Sequence, residues 1–234
     1  VRIYPIQSDI GKKVYMEMAV ELKGSPWFFI MEYLEGGSVG DLIKKNKTLS
    51  EEETGAILYR VIDTLEYIHN SGYAHDDIKA SNILFRHALG NNQPIEPVLI
   101  DFGITSRKDR VQTDAGSLFY MAPEQLQEMR EQRPPEIKID YSKVDVYAIG
   151  VLLYRMLAGK LPLSGKSETG ITTAILTKMP SSPQSLNPKI STHMNDLIMA
   201  CLAKQPEARP TDKQIRFALR QYADYTLSPE RSRN

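Results

Sequence analysis

His75-Asp76-Asp77-Ile78-Lys79-Ala80-Ser81-Asn82, taken with Asp101-Phe102-Gly103 and Ala122-Pro123-Glu124 farther along, is the stretch on which the reading of this chain turns. Just upstream, Ser50 and Glu53 stand at the spacing of a capping box. Ile57, Val61, Leu65 and Ile68 then keep one face apolar until Gly72, so a helix is predicted to end shortly before His75. Just downstream, Ile83-Leu84-Phe85 and Val98-Leu99-Ile100 read as short strands flanking a loop at Asn91-Asn92. From about Ser142 to Ala158 the chain is apolar nearly all round, through Val144, Val146, Ile149, Val151, Leu152 and Leu153, with Gly159 as the stop. That pattern predicts a helix buried at the centre of a domain. Two amphipathic helices are expected near residues 192–204 and 211–222.

The first thirty residues have a different period. Val14, Met16, Met18 and Val20 alternate with Tyr15, Glu17, Ala19 and Glu21, which predicts a half-buried strand. Lys23-Gly24-Ser25-Pro26 is a turn, Trp27 to Tyr33 a second strand, and Gly36-Gly37-Ser38 ends the β pattern. No internal repeat is visible, and the tail after Tyr225 is polar.

On a loop after a helix and at the end of a strand, the residue types around His75 form a chemical set. Asp77 is a carboxylate able to orient a hydroxyl and accept its proton. Asn82 and Asp101 offer oxygen ligands to a divalent cation, and Lys79 brings positive charge to a group that develops negative charge. Phosphoryl transfer has these needs, because it asks a protein for positioning and electrostatics more than for covalent chemistry. Against this stands the reading of Asp77 and Asp101 as ordinary surface carboxylates. His75 reads as a residue packed against Phe102 rather than a proton carrier, and Cys201, beside Leu197, Ile198 and Leu202, as core.

Composition narrows the classes. Of 234 residues, 41% are apolar and 25% charged, as in folded globular domains and unlike disordered ones. Twenty-nine basic and 29 acidic side chains cancel, so no net field attracts nucleic acid or anionic lipid. The longest apolar run, Val144 to Ala158, is interrupted by Asp145, Gly150 and Arg155 and is too short for a membrane span. A single cysteine suits a reducing, cytoplasmic setting, which leaves open an anchor elsewhere in a longer parent protein. The absence of an initiating methionine and the strand-like opening lead us to expect a fragment.

These motifs, in this order, resemble those of the eukaryotic-type protein kinases, Ser/Thr branch, and the resemblance extends over essentially the whole chain. Ala122-Pro123-Glu124-Gln125 and the run from Met156 to Pro162 resemble the bacterial eukaryote-like members. The resemblance implies an α+β, protein kinase-like fold: a mainly helical large lobe over residues 35–225, a remnant of the small-lobe antiparallel sheet with the hinge over 1–34, and a polar tail over 226–234. It implies ATP and Mg²⁺, with Mn²⁺ as an alternative, protein substrates bearing Ser or Thr, and no nucleic-acid partner. It makes Asp77 the catalytic base, Lys79 the phosphate-contacting lysine, Asn82 and Asp101 the metal ligands, and Ser117 a hydroxyl that steadies Asp77 and Lys79. Met31, Glu32 and Leu34 become the gatekeeper and adenine-binding hinge, and Leu84 a further cofactor-binding residue. His75, Asp76, Phe102 and Gly103 become structural or regulatory residues. Asp145 holds the loop by its backbone, and Glu124 with Arg209 forms a buried ion pair.

Two departures stand out. The family's glycine-rich loop, strand lysine and helix glutamate have no counterpart in this chain, Val1-Arg2-Ile3-Tyr4 resembling the opening of the fourth small-lobe strand and residues 12–22 an inserted hairpin. Without those elements the chain by itself is expected to be inactive. The second departure is Asp76, where most members carry an arginine that binds an activation-loop phosphate. Asp76 is expected either to pair with Arg107, Lys108 or Arg110 or to face water. The rival functions are a pseudokinase scaffold and a small-molecule phosphotransferase of the aminoglycoside or choline kinase type.

Overall fold

The computed structural model describes residues 2–7, 13–14, 17–18, 27–28, 30–89, 94–101, 117–130 and 139–225. Among the described residues six two-residue strands come first: β1 (Ile3–Tyr4), β2 (Ile6–Gln7), β3 (Lys13–Val14), β4 (Glu17–Met18), β5 (Trp27–Phe28) and β6 (Ile30–Met31). All pair antiparallel: β1 with β6, Ile3 opposite Met31; β2 with β3, Ile6 opposite Val14; and β4 with β5, Met18 opposite Trp27. The turn expected at residues 23–26 lies outside the described residues. The described residues of the strand expected from Val14 to Val20 are divided between two ladders, one running back to β2 and one forward to β5.

From Val39 onward the described residues are mostly helical. α1 (Val39–Asn46) and α2 (Glu51–Asn70) each begin with a capping box. In α2 the Ser50 hydroxyl accepts the Glu53 N–H (3.2 Å) and the Glu53 carboxylate accepts the Ser50 N–H (2.8 Å). These bonds satisfy two donors that a helix start leaves open. Past its end, Gly72 takes φ 83°, the left-handed conformation that stops a helix cheaply only at glycine. A hairpin of β7 (Ile83–Phe85) and β8 (Pro97–Leu99) follows, Ile83 opposite Leu99. Then come a 3₁₀ turn (Ser117–Tyr120) and α3 (Pro123–Met129). The remaining helices are α4 (Tyr141–Ala158), α5 (Glu168–Thr177), α6 (Pro183–Leu186), α7 (Thr192–Cys201) and α8 (Asp212–Leu219), with a last 3₁₀ turn at Arg220–Tyr222.

α4 is the centre of the body, as its all-round apolar sequence predicts. Residues from Val144 to Leu157 are buried almost without exception, and α2 and α7 pack on it while α8 packs on α2. Each fully buried Leu or Ile there contributes roughly 1.5–3 kcal/mol of transfer free energy. Cys201 is 0% exposed in this core, and burial pushes its thiol pKa up to about 12, so it is inert. Gly36 and Gly55 are among the glycines that close approach requires. A Cβ on Gly36 would lie 2.3 Å from the His87 carbonyl, and one on Gly55 would lie 2.1 Å from the Tyr222 ring that seats on α2. No helix among the described residues is long and apolar enough to cross a membrane.

α1, α3, α5 and α6 are not marked by the sequence pattern, and α5 is the longest of them. Its segment is short and rich in β-branched threonine, whose hydroxyls bond back to carbonyls four residues earlier (Thr172, Thr173 and Thr177, each 2.8 Å). Its helicity comes from packing: Ile171 and Ile175 close a small second core with Leu118, Met121 and Leu126.

Candidate active site

α2 ends at Asn70, and the chain returns beneath α4 with His75 and Asp76 facing Asp145. The Asp145 carboxylate is fully buried, which water cannot compensate, so the fold surrounds it with donors. The backbone N–H of His75 reaches Oδ2 and that of Asp76 reaches Oδ1, both at 2.7 Å, and His69 Nε2 lies 2.9 Å from Oδ2. Asp76 itself sits at φ 65°, a strained conformation for a non-glycine residue, and these bonds hold it there.

His75 is buried, and both ring nitrogens are committed to backbone. Nε2 donates to the Ile100 carbonyl (2.9 Å), and Nδ1 accepts the Asp77 N–H (3.3 Å). Burial pushes its pKa down, in keeping with this neutral tautomer. The ring thereby ties the loop to the end of β8, where Asp101 stands exposed at φ 58°.

Around Asp77 the contacts close into a ring. Lys79 Nζ is 2.9 Å from Asp77 Oδ2 and donates to Ser117 Oγ at 3.0 Å, and Ser117 Oγ stands 3.4 Å from Asp77 Oδ1. Asn82 Nδ2 donates both to the Asp77 carbonyl (2.9 Å) and to its Oδ2 (3.0 Å). Asn82 Oδ1 accepts the Ser81 hydroxyl (3.4 Å), and the Asn82 backbone carbonyl accepts the Ile100 N–H (2.9 Å), which places Asn82 beside Asp101.

A carboxylate with a lysine and an amide at hydrogen-bond distance, and a second carboxylate alongside, thus stand together on this helical body. A family model described as "Protein kinase domain" matches residues 13–219. The chain belongs to the protein kinase family. Its relatives include calcium-dependent protein kinase 21 of rice (Oryza sativa subsp. japonica), 33% identical over 80% of this chain and 31% of that protein. A probable serine/threonine-protein kinase of Clostridium perfringens is 31% identical over 80% of this chain and 26% of that protein. Serine/threonine-protein kinase 4 homolog A of Dictyostelium discoideum is 32% identical over 80% and 39%. The chain thus spans well under half the length of each. The kinase domain of Rad53, solved with SCD2 and AMPPNP, shares the fold: TM-score 0.67, 23% identity, 88% of this chain and 75% of that one.

Glu32, expected in the hinge, is fixed from both sides. The Glu32 N–H donates to the Arg2 carbonyl (3.0 Å), and the Glu32 carboxylate takes the Arg2 N–H (2.8 Å) and the Arg86 guanidinium. The Arg2 N–H, with Arg86 behind it, lowers the Glu32 pKa. Met31 lies in β6 and Leu34 is buried. After it, Gly36 N–H bonds to the Phe85 carbonyl (3.0 Å) and Phe85 N–H to the Gly37 carbonyl (2.9 Å), laying residues 36–38 along β7 beside Leu84. Arg209 uses all five guanidinium N–H groups: two on the Glu124 carboxylate (2.6 and 2.8 Å) and one each on the carbonyls of Ala203, Lys143 and Lys204. Tyr147 stacks under it, 5.0 Å from ring centroid to guanidinium carbon.

Phe102 and Gly103, the packing of Phe102 on His75, and the cations Arg107, Lys108 and Arg110 lie outside the described residues. Among the described residues Asp76 has a partner: Gln125 Nε2 donates to its Oδ1 at 2.8 Å. Sequence reasoning also missed His69, which links Asp145 to Asp212 Oδ2 (2.6 Å), and Arg86, which joins Glu32 to Glu96 (3.0 Å). His69 had a signal: it stands one turn after Leu65 on the buried face of α2, where a polar ring requires partners.

Proposed function

We propose that this chain is the catalytic part of a Ser/Thr protein kinase, moving the γ-phosphoryl group of Mg·ATP onto Ser or Thr hydroxyls of protein substrates. The observation that carries this is the ring of contacts joining Asp77, Lys79, Ser117 and Asn82. In that reading Asp77 orients the substrate hydroxyl and takes its proton as the new O–P bond forms and the bond from γ-phosphorus to the β-γ bridging oxygen breaks. Lys79 stays beside Asp77, offsets charge on the transferred group, and is kept in place by Ser117. Asn82 and Asp101 would hold Mg²⁺, or Mn²⁺ in its place. The donor set fits, since a carboxylate and an amide oxygen suit a cation that keeps phosphate and water as its other ligands. The bound ion offsets phosphate charge. The Glu32 carbonyl and Leu34 N–H would take the adenine edge, with Met31 and Leu84 as apolar contacts. Lys79, together with the serine/threonine kinases among the relatives, supports hydroxyls of Ser and Thr as acceptors.

The test is made on the full-length protein, because residues 1–234 alone, which include no glycine-rich loop or strand lysine, are expected to turn over nothing. Incubated with γ-labelled ATP, Mg²⁺ and degenerate peptides fixed at Ser, Thr or Tyr, it should label Ser and Thr peptides. ATP binding without transfer to any acceptor would replace this reading with a pseudokinase. Label confined to Tyr, or to an aminoglycoside or choline, would overturn the substrate class.

A further inference from the structure

Gln125 is the third residue of α3, and a plain helix-start role needs only its oxygen, which accepts the Ala122 N–H at 2.9 Å. Its amide nitrogen does something else, donating to Asp76 Oδ1 at 2.8 Å from a side chain that is almost wholly buried. Both contacts demand the same orientation of the amide, oxygen to the N–H and nitrogen to the carboxylate, so the geometry is self-consistent. The Asp145 carboxylate fixes the backbone of Asp76, whereas Gln125 fixes its side chain, one residue from Asp77. Two more contacts run alongside: Ser117 meets Lys79, and the Tyr120 hydroxyl meets the Ala80 backbone. The segment from Ser117 to Gln125 is therefore laid along the loop from Asp76 to Ala80 and pinned at both ends. The Ser117 end is the looser one, 3.4 Å from Asp77.

We propose that Gln125 is a positioning residue for catalysis: its bond to Asp76 docks the segment carrying Ser117 onto the loop carrying Asp77 and Lys79. The proposal rests on the kinase reading above. A neutral amide is the donor, so the dock needs neither a phosphate nor a protonation change. Among the described residues the titratable groups around the pair are Asp145 and His69 behind it, His75 and Asp77 along the loop, Glu124 bound to Arg209, and Asp140 and Tyr141 across the adjoining cavity.

The test converts the donor into an acid. In Gln125→Glu two carboxyl groups face each other and share one proton at low pH, which raises the pKa of the pair. The full-length Gln125→Glu enzyme should match the parent at pH 6 and lose roughly tenfold in kcat relative to it at pH 8, with KM for ATP unchanged. In parallel, the amides of His75 and Asp76 should exchange faster than the parent's at pH 8 only. The double variant Asp76→Asn with Gln125→Glu reverses donor and acceptor, and should remove the pH dependence of both readouts. A Gln125→Glu enzyme that tracks the parent at both pH values, or a double variant that keeps the defect, overturns the proposal. Amide exchange needs no turnover, so a parent that transfers no phosphate while the exchange pattern holds overturns the kinase reading and leaves the dock standing.

Discussion

Asp77 keeps about a third of its side chain open to solvent (34%) while its oxygens are approached by Lys79, Asn82 and Ser117. A carboxylate held by donors on two sides and open on the third is oriented toward whatever enters the open side. Replacing it with asparagine keeps the shape and removes the proton acceptor. Asp77→Asn in the full-length protein should therefore lose about 10²–10⁴-fold in the transfer step, the range for a single general base, with ATP affinity unchanged. Single-turnover kinetics beside nucleotide binding checks it, and an unimpaired transfer step would remove Asp77 from the chemistry. His75 is a different case. Both of its ring nitrogens are spent on backbone, so a role in proton transfer is excluded by geometry, and its contribution is to join the Asp77 loop to the end of β8.

Elements are joined by a few polar anchors between apolar faces. The Arg209 guanidinium ties α3 through Glu124, α4 through Lys143 and the chain before α8 through Ala203 and Lys204, with its side chain 0% exposed. Removing one partner of such a pair strands the other charge in a dry interior. Glu124→Ala or Arg209→Leu should cost about 3–5 kcal/mol in urea unfolding, and Arg209→Lys should not rescue, since lysine cannot present the same fork of donors. The start of α2 is a smaller matter. Ser50→Ala removes one cap of a helix whose buried face still packs on α4 and α8, so about 1 kcal/mol is expected, read as a drop of about 2–4 °C in Tm. A loss of several kcal/mol there would show that α2 depends on its cap rather than on packing.

For the whole molecule, the telling group is His69. Its side chain is 6% exposed and lies between Asp145 on α4 and Asp212 at the first turn of α8. Burial alone would lower its pKa; the bonds to the two carboxylates outweigh burial and raise it from 6.5 to about 9. The folded pKa is above the unfolded one, so this stabilisation is complete below pH 6.5 and disappears as pH rises through 9. It amounts to roughly 3 kcal/mol, at 1.36 kcal/mol per pKa unit. Lys204 acts in the opposite sense. Burial, then Arg209, lowers its pKa from 10.5 to about 8, so the folded state gains relative stability as pH rises from 8 toward 10.5. Melting followed from pH 6 to pH 9 should fall in the parent and be flatter in His69→Gln. Parallel curves for the two proteins would show that His69 is not charged in the folded state.

Short-range pattern was enough for α2, α4 and the β7–β8 hairpin, because a cap, a 3.6-residue apolar period and a glycine stop are all written within a few neighbouring residues. The residues of the candidate site were legible as well. Asp77, Lys79 and Asn82 share one loop whose spacing is itself the motif, and Asp101 follows β8 directly. What the linear pattern could not show is which distant residues meet. His69 reaches carboxylates 76 and 143 residues away, Gln125 reaches Asp76 across 49, and Arg86 reaches Glu32 across 54. Such pairs depend on how helices with similar apolar faces dock, and a buried polar group takes whichever complementary partner the packing delivers. The same holds for α5, weak by its own composition and made helical by the apolar surface it covers. Asp76 shows the division most plainly. Its sequence position announced a lost arginine, and only the packing of α3 against the loop decided that a buried glutamine amide would bind the carboxylate in its place.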